Sequence, residues 1–140
     1  MNLDYNKDFF ESYEILLLNK QSQIIMEKFP KKKPILIRLK SNVLKTEKYK
    51  FLLDDDMTLF GIVEGISSQL LNVDNHTLQF DLSSVPHLKN SNPKLINCNT
   101  LSRDLSLLDI FNNYRDTSIN AIVIDIKRKT LYKSLYNSFF

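Results

Sequence analysis

The chain has 140 residues, 43% of them hydrophobic and 25% charged, a balance that suits one compact domain and leaves little room for two. Nineteen Lys and Arg against 16 Asp and Glu give a net charge of +3, too small to imply wrapping a nucleic-acid backbone. Its apolar runs, such as Ile15-Leu16-Leu17-Leu18, fall far short of the roughly 20 residues that span a bilayer, and a single cysteine, Cys98, rules out an intramolecular disulfide.

The opening residues, Met1-Asn2-Leu3-Asp4-Tyr5, lack the basic and apolar regions of a secretory signal, so the expected location is cytoplasmic. Residues 9–28 contain neither Pro nor Gly. Apolar positions at Phe10, Tyr13, Leu17, Ile24 and Ile25 follow helical spacing, which predicts one or two helices. Pro30 and Pro34 break helix. Between them Lys31-Lys32-Lys33 reads as a solvated turn. The period then changes: Ile35-Leu36-Ile37-Arg38-Leu39-Lys40 is short and β-branched, a strand.

After a polar connection over residues 41–47, Tyr49-Lys50-Phe51-Leu52-Leu53 predicts a second strand, hairpin-paired with the first and ended by Asp54-Asp55-Asp56. Asp56 is the expected N-cap of a helix running to about Leu71, whose Leu59, Ile62, Val63, Ile66 and Leu70 recur at spacings of three and four. Thr77-Leu78-Gln79-Phe80-Asp81-Leu82 alternates as a third strand. Residues 83–100, with Pro86 and Pro93, read as a long surface loop. Residues 105–114 are helical in pattern, and 119–126 form the most apolar strand of all, which predicts a central place in the sheet.

The order helix, strand, strand, helix, strand, short helix, strand implies an α+β protein. It is the order of a four-stranded β-grasp with a helix across the sheet and the first and last strands parallel neighbours. Residues 1–30 would be a helical extension, 31–133 the β-grasp domain with a loop insertion at 83–100, and 134–140 a C-terminal tail.

Enzymatic chemistry finds little support. Only Gly61 and Gly65 are glycine, so phosphate-cradling loops are absent. Cys98 and His87 lack a glycine-supported oxyanion turn, and with His76 they make no convincing zinc set. Asp54–Asp56 lacks the alternating ligands of a calcium loop. No cofactor or metal is expected.

Glu27-Lys28-Phe29-Pro30 followed by Pro34-Ile35-Leu36-Ile37 resembles the Lys-Tyr-Pro-x-x-x-Pro-Val-Ile-Val signature of the ubiquitin-like autophagy modifiers, the GABARAP and light-chain-3 family. Lys50-Phe51-Leu52-Leu53-Asp54-Asp55-Asp56-Met57-Thr58-Leu59 is similar to that family's Lys-Tyr-Leu-Val-Pro-Ser-Asp-Leu-Thr-Val segment. The resemblance spans roughly residues 15–133 and weakens beyond Leu82. It implies an adaptor of autophagosomal or other vesicle membranes that binds aromatic-x-x-aliphatic peptides by adding them to the second strand. On the matched positions, Ile25, Pro34, Leu36, Lys50 and Leu52 would line an aromatic pocket. Phe51, Leu53, Met57 and Ile62 would line an aliphatic one, with Lys32 and Lys50 facing acidic flanks of the peptide. Phe51 and Leu53 alternate with Leu52 along a strand, so these side chains cannot all enter one core.

Three positions depart from the family pattern: Asp54 replaces a proline, Gly65 a leucine, and Ala121 a pocket phenylalanine. Conjugation in the family needs a terminal glycine, and no glycine follows Gly65. The expectation is therefore an adaptor that is not lipid-conjugated through its own C-terminus, with any membrane association peripheral and no nucleic acid bound. Two other readings remain. One is a β-grasp subunit of an assembly, docking through residues 135–140. The other is a small basic protein in which Lys31–Lys33 and Lys127–Lys129 share a surface that meets nucleic acid or acidic membrane.

Overall fold

Ile122, Ile124 and Ile126 point to one face of a strand and Val123 to the other, and all four are almost completely buried. A strand apolar on both faces has to lie inside a sheet with cover on each side. The computed structural model describes residues 3–40, 46–72, 77–86 and 92–128, and over these the elements are α1 (Leu3–Lys28), β1 (Lys32–Lys40), β2 (Thr46–Asp54), α2 (Leu59–Gly65), β3 (Leu78–Ser84), β4 (Lys94–Asn97), α3 (Leu107–Tyr114) and β5 (Ile122–Arg128). The sheet order is β2-β1-β5-β3-β4. β5 is central, parallel to β1 with Leu36 opposite Val123, and antiparallel to β3 with Leu82 opposite Ile124. The β1–β2 pair is antiparallel, with Leu36 opposite Lys50.

Two apolar layers result. Ile35, Ile37, Leu78, Phe80, Leu82 and the β5 isoleucines pack with Leu59, Ile62 and Ile66 and with Leu107, Ile110 and Phe111 of α3. On the opposite face Leu36, Ile119, Ala121 and Val123 pack with Leu18 of α1. Asn19 Nδ2 ties α1 to the turn before β5 by donating to the Ser118 carbonyl at 2.9 Å.

Several local expectations change. The sheet has five strands, because β4 pairs with β3 within what the sequence presents as a loop. A 3₁₀ turn over Cys98–Thr100 follows it. Residues 9–28 belong to a single helix that begins at Leu3, while the placement of Phe10 and Tyr13 lies outside the described side chains. The N-cap of α2 is Thr58, not Asp56: its hydroxyl accepts from the Gly61 N–H at 3.1 Å. The helix also stops being α at Gly65. Ile66–Leu70 forms a π turn closed by the Leu71 N–H donating to the Ile66 carbonyl. The Ser67 and Ser68 hydroxyls donate to the Val63 and Glu64 carbonyls, a local competition that loosens helices. β5 starts at Ile122, since Asn120 takes a left-handed conformation (φ 54°) that ends the preceding turn, a conformation asparagine tolerates.

Each charge run is solvated except at one residue, and those two residues pair. Lys33 is buried, and its Nζ donates to Asp55 Oδ1 at 2.9 Å, to the Pro30 carbonyl at 3.2 Å, and lies over the Phe111 ring. Lys32 faces Asp54 at 3.5 Å on the surface. Nor do the basic segments share a surface: Lys127 stands beside Lys40, whereas Lys32 begins β1 at its other end. The expected tail features, Lys129 included, and His76 and His87 lie outside the described residues.

Candidate functional site

The β2 edge is where sequence and structure converge. Among the described residues β2 pairs with β1 alone, so its outer backbone groups have no described strand beside them. Such an edge is a template for an added strand. Nine residues long, it offers more ladder than the opposite edge strand β4, which has four.

Each face of this edge carries an apolar cavity. The first, about 200 Å³, lies between α1 and the sheet. Ile25, Pro34, Leu36, Lys50 and Leu52 all line it, so the five residues expected of an aromatic pocket come together. α1 reaches it through Leu18, Ser22 and Ile25, spaced four and three apart on one helix face. Ala121 and Phe51 line it as well. Lys50 stays exposed with no ion-pair partner among the described residues.

The second cavity, about 250 Å³, lies on the other face, between β2 and the α2–π-turn segment. Phe51, Leu53 and Met57 line it as expected, joined by Ile37, Gly65, Ile66, Gln69 and Leu70. Ile62 does not. It is 2% exposed and packs in the main core, because at the α2 position three residues after Leu59 it faces the sheet and not its edge. Lys32 lines neither cavity and is occupied by Asp54.

The sequence misses residues that reach the cavities through tertiary structure. Leu18 and Ser22 were detectable by their spacing of seven and three residues before Ile25, which puts all three on one helix face. Gln69 and Leu70 were not, since the π turn rotates them away from a continuing α-helical register.

The pairing of Lys33 with Asp55 lies two residues from Met57, which lines the second cavity. It ties the start of β1 to the turn after β2, while the Leu107 N–H donates to the Met57 carbonyl at 2.7 Å and the Leu108 N–H to that of Asp55 at 3.1 Å. Met57 is therefore held from both sides.

Comparison with known proteins finds no family model that matches this chain and no curated protein that matches it. No helix among the described residues is long and apolar enough to cross a membrane, and no group of three or more metal-ligating side chains gathers among them.

Cys98 is a core side chain. Burial, with the Asp81 charge adding to it, pushes its thiol up to about 12 from the ordinary 9.0. At pH 9 about half of an unfolded thiol is ionised, against roughly one in a thousand here. Alkylation by iodoacetamide at pH 9 is expected to run at least about a hundredfold slower in the native protein than in denaturant. Because the folded pKa is the higher, the thiol's contribution to stability is complete below pH 9 and is lost as pH rises toward 12. Native-state labelling at the denatured rate would show that Cys98 is exposed.

Proposed function

We propose that this chain is a ubiquitin-like β-grasp adaptor, an α+β domain with residues 1–30 as a helical extension. It binds short extended peptides carrying an aromatic residue and, three positions on, an aliphatic one. The observation that carries this reading is the split of the candidate residues between cavities on opposite faces of one free edge strand. An added strand turns alternate side chains to opposite faces, so a residue entering the α1 side and one entering the α2 side must be an odd number of positions apart. A spacing of three meets that condition. Main-chain hydrogen bonds to β2 supply affinity and the two cavities supply selection. Lys50 gives an acidic flank a partner. A role as a tethering adaptor on autophagosomal or similar vesicle membranes is the cellular setting that the resemblance supports.

Titration with an aromatic-x-x-aliphatic peptide is expected to shift backbone amides of residues 34–37 and 50–62. An unmoved β2 would overturn the reading. Leu52→Ala and Leu53→Ala, one wall from each cavity, should each weaken binding by about 1–3 kcal/mol while the domain stays folded. Calorimetry that finds both variants at full affinity would remove the pocket assignment.

A second reading, a subunit of an assembly, has one observation in its favour. Leu16 and Ile24 on the outer side of α1 are 52% and 63% exposed. Apolar side chains so placed suit a helix that packs against another protein.

A further inference from the structure

Gly65 stands in a helix, in ordinary helical geometry (φ −62°, ψ −43°), where glycine costs about 1 kcal/mol relative to alanine. The backbone does not require it. Nor does packing, because a Cβ built at Gly65 would meet nothing within 4 Å. Gly61 differs: its Cβ would lie 3.3 Å from the Thr58 hydroxyl that caps the helix. What Gly65 leaves is space, and that space opens into the second cavity.

We infer that this cavity takes an aromatic ring in preference to an aliphatic side chain, with Gly65 as the residue that sets the choice. The inference rests on the reading of the β2 edge as a peptide groove. Three observations carry it. The cavity on the α2 side, at about 250 Å³, is larger than its neighbour of about 200 Å³. A pocket of about 150 Å³ lined by Leu, Ile and Phe already holds a benzene ring, so both exceed what one ring needs. The lining also favours an aromatic guest. Phe51, 39% exposed, offers a ring for edge-to-face contact, and the Met57 thioether offers a sulfur–aromatic contact. Finally, Gln69 is exposed along the same wall and supplies the one uncharged polar side chain there, a partner for a phenolic hydroxyl if the ring is tyrosine. The aromatic-x-x-aliphatic segment is thus bound best when an aromatic residue replaces the aliphatic one at its second anchor.

The test uses the full chain and three synthetic peptides identical except at the second anchor, which is Val, Leu or Phe. The Phe peptide is expected to bind about tenfold more tightly than the Val peptide. Gly65→Leu, which fills the space with four carbons, should weaken the Phe peptide by about tenfold or more and leave the Val peptide within about threefold. Gly65→Ala should fall between, and both variants, checked by circular dichroism, should remain folded because each improves helix propensity. If the Val or Leu peptide binds wild-type protein as tightly as the Phe peptide, or if Gly65→Leu weakens all three alike, the aromatic preference is overturned while the groove stands. If no peptide binds and no β2 amide shifts, the groove itself is wrong and the preference falls with it.

Discussion

Replacing Arg38 with Met is expected to remove about 3–5 kcal/mol of stability, measured by urea unfolding. Arg38 Nε and Nη2 donate to the two carboxylate oxygens of Asp125 at 2.6 and 2.9 Å, a two-pronged pair on the α1 face of the sheet. The Asp125 side chain is 8% exposed, and directly opposite it on β3 stands Asp81, also buried, which accepts from the Gln79 side-chain amide at 3.2 Å. Without the guanidinium, two carboxylates would face each other out of water. The partners differ in what they lose. Arg38 is 31% exposed and keeps access to solvent when Asp125 is gone, so Asp125→Val should cost less than Arg38→Met. The double variant should recover most of the loss, since removing both charges ends the burial penalty. A loss below about 1 kcal/mol for Arg38→Met would show that the pair is hydrated.

The second large effect concerns Asp55. Asp55→Ala should cost about 2–4 kcal/mol, because it leaves the Lys33 ammonium buried with carbonyl oxygens and the Phe111 ring but no counter-charge. Lys33→Met should cost less, since the Asp55 carboxylate is the more exposed of the two and recovers water. The same change reaches the candidate site. The turn that holds Met57 loses its tether to β1, so the second cavity should loosen and peptide affinity should fall even under conditions where the protein stays folded. Equal stability of Asp55→Ala and wild type in guanidinium unfolding would refute the buried pairing.

Much of this architecture was legible in the chain. The strand at residues 77–82 follows from its alternation and that at 49–53 from its short apolar and aromatic run, while the parallel pairing of β1 with β5 follows from two short β-branched runs that are nearly continuously apolar. The division of Leu52 from Phe51 and Leu53 follows from strand alternation. What escaped has physical reasons. Lys94-Leu95-Ile96-Asn97 is too short to display a period, and β4 exists because β3 offers it a ladder. Asp56 and Thr58 both have oxygens suited to capping; geometry gives the role to Thr58, two residues on. Lys33 and Asp55 lie 22 positions apart, and charge runs read one at a time do not announce a partner at that distance. Ile62 was assigned to a pocket by its matched position in the resembling family, whereas its helical spacing already placed it on the buried face, where it packs. Asp81 and Asp125 sit in strands whose alternation reveals their side of the sheet but not the Arg38 that neutralises one of them.

The central place of β5 also governs how the chain acquires its structure. The strand that bridges β1 and β3 is the last of the five in sequence, and its partner Leu36 lies 87 residues before Val123. Local pieces such as the β1–β2 hairpin close short loops and form early, whereas the parallel pairing must first pay a long-range closure entropy. During synthesis, then, everything through α3 emerges from the ribosome before the sheet can be completed. β1 spends that interval with its inner edge open and its apolar side chains unpaired, the state in which strands are most prone to join the wrong neighbour.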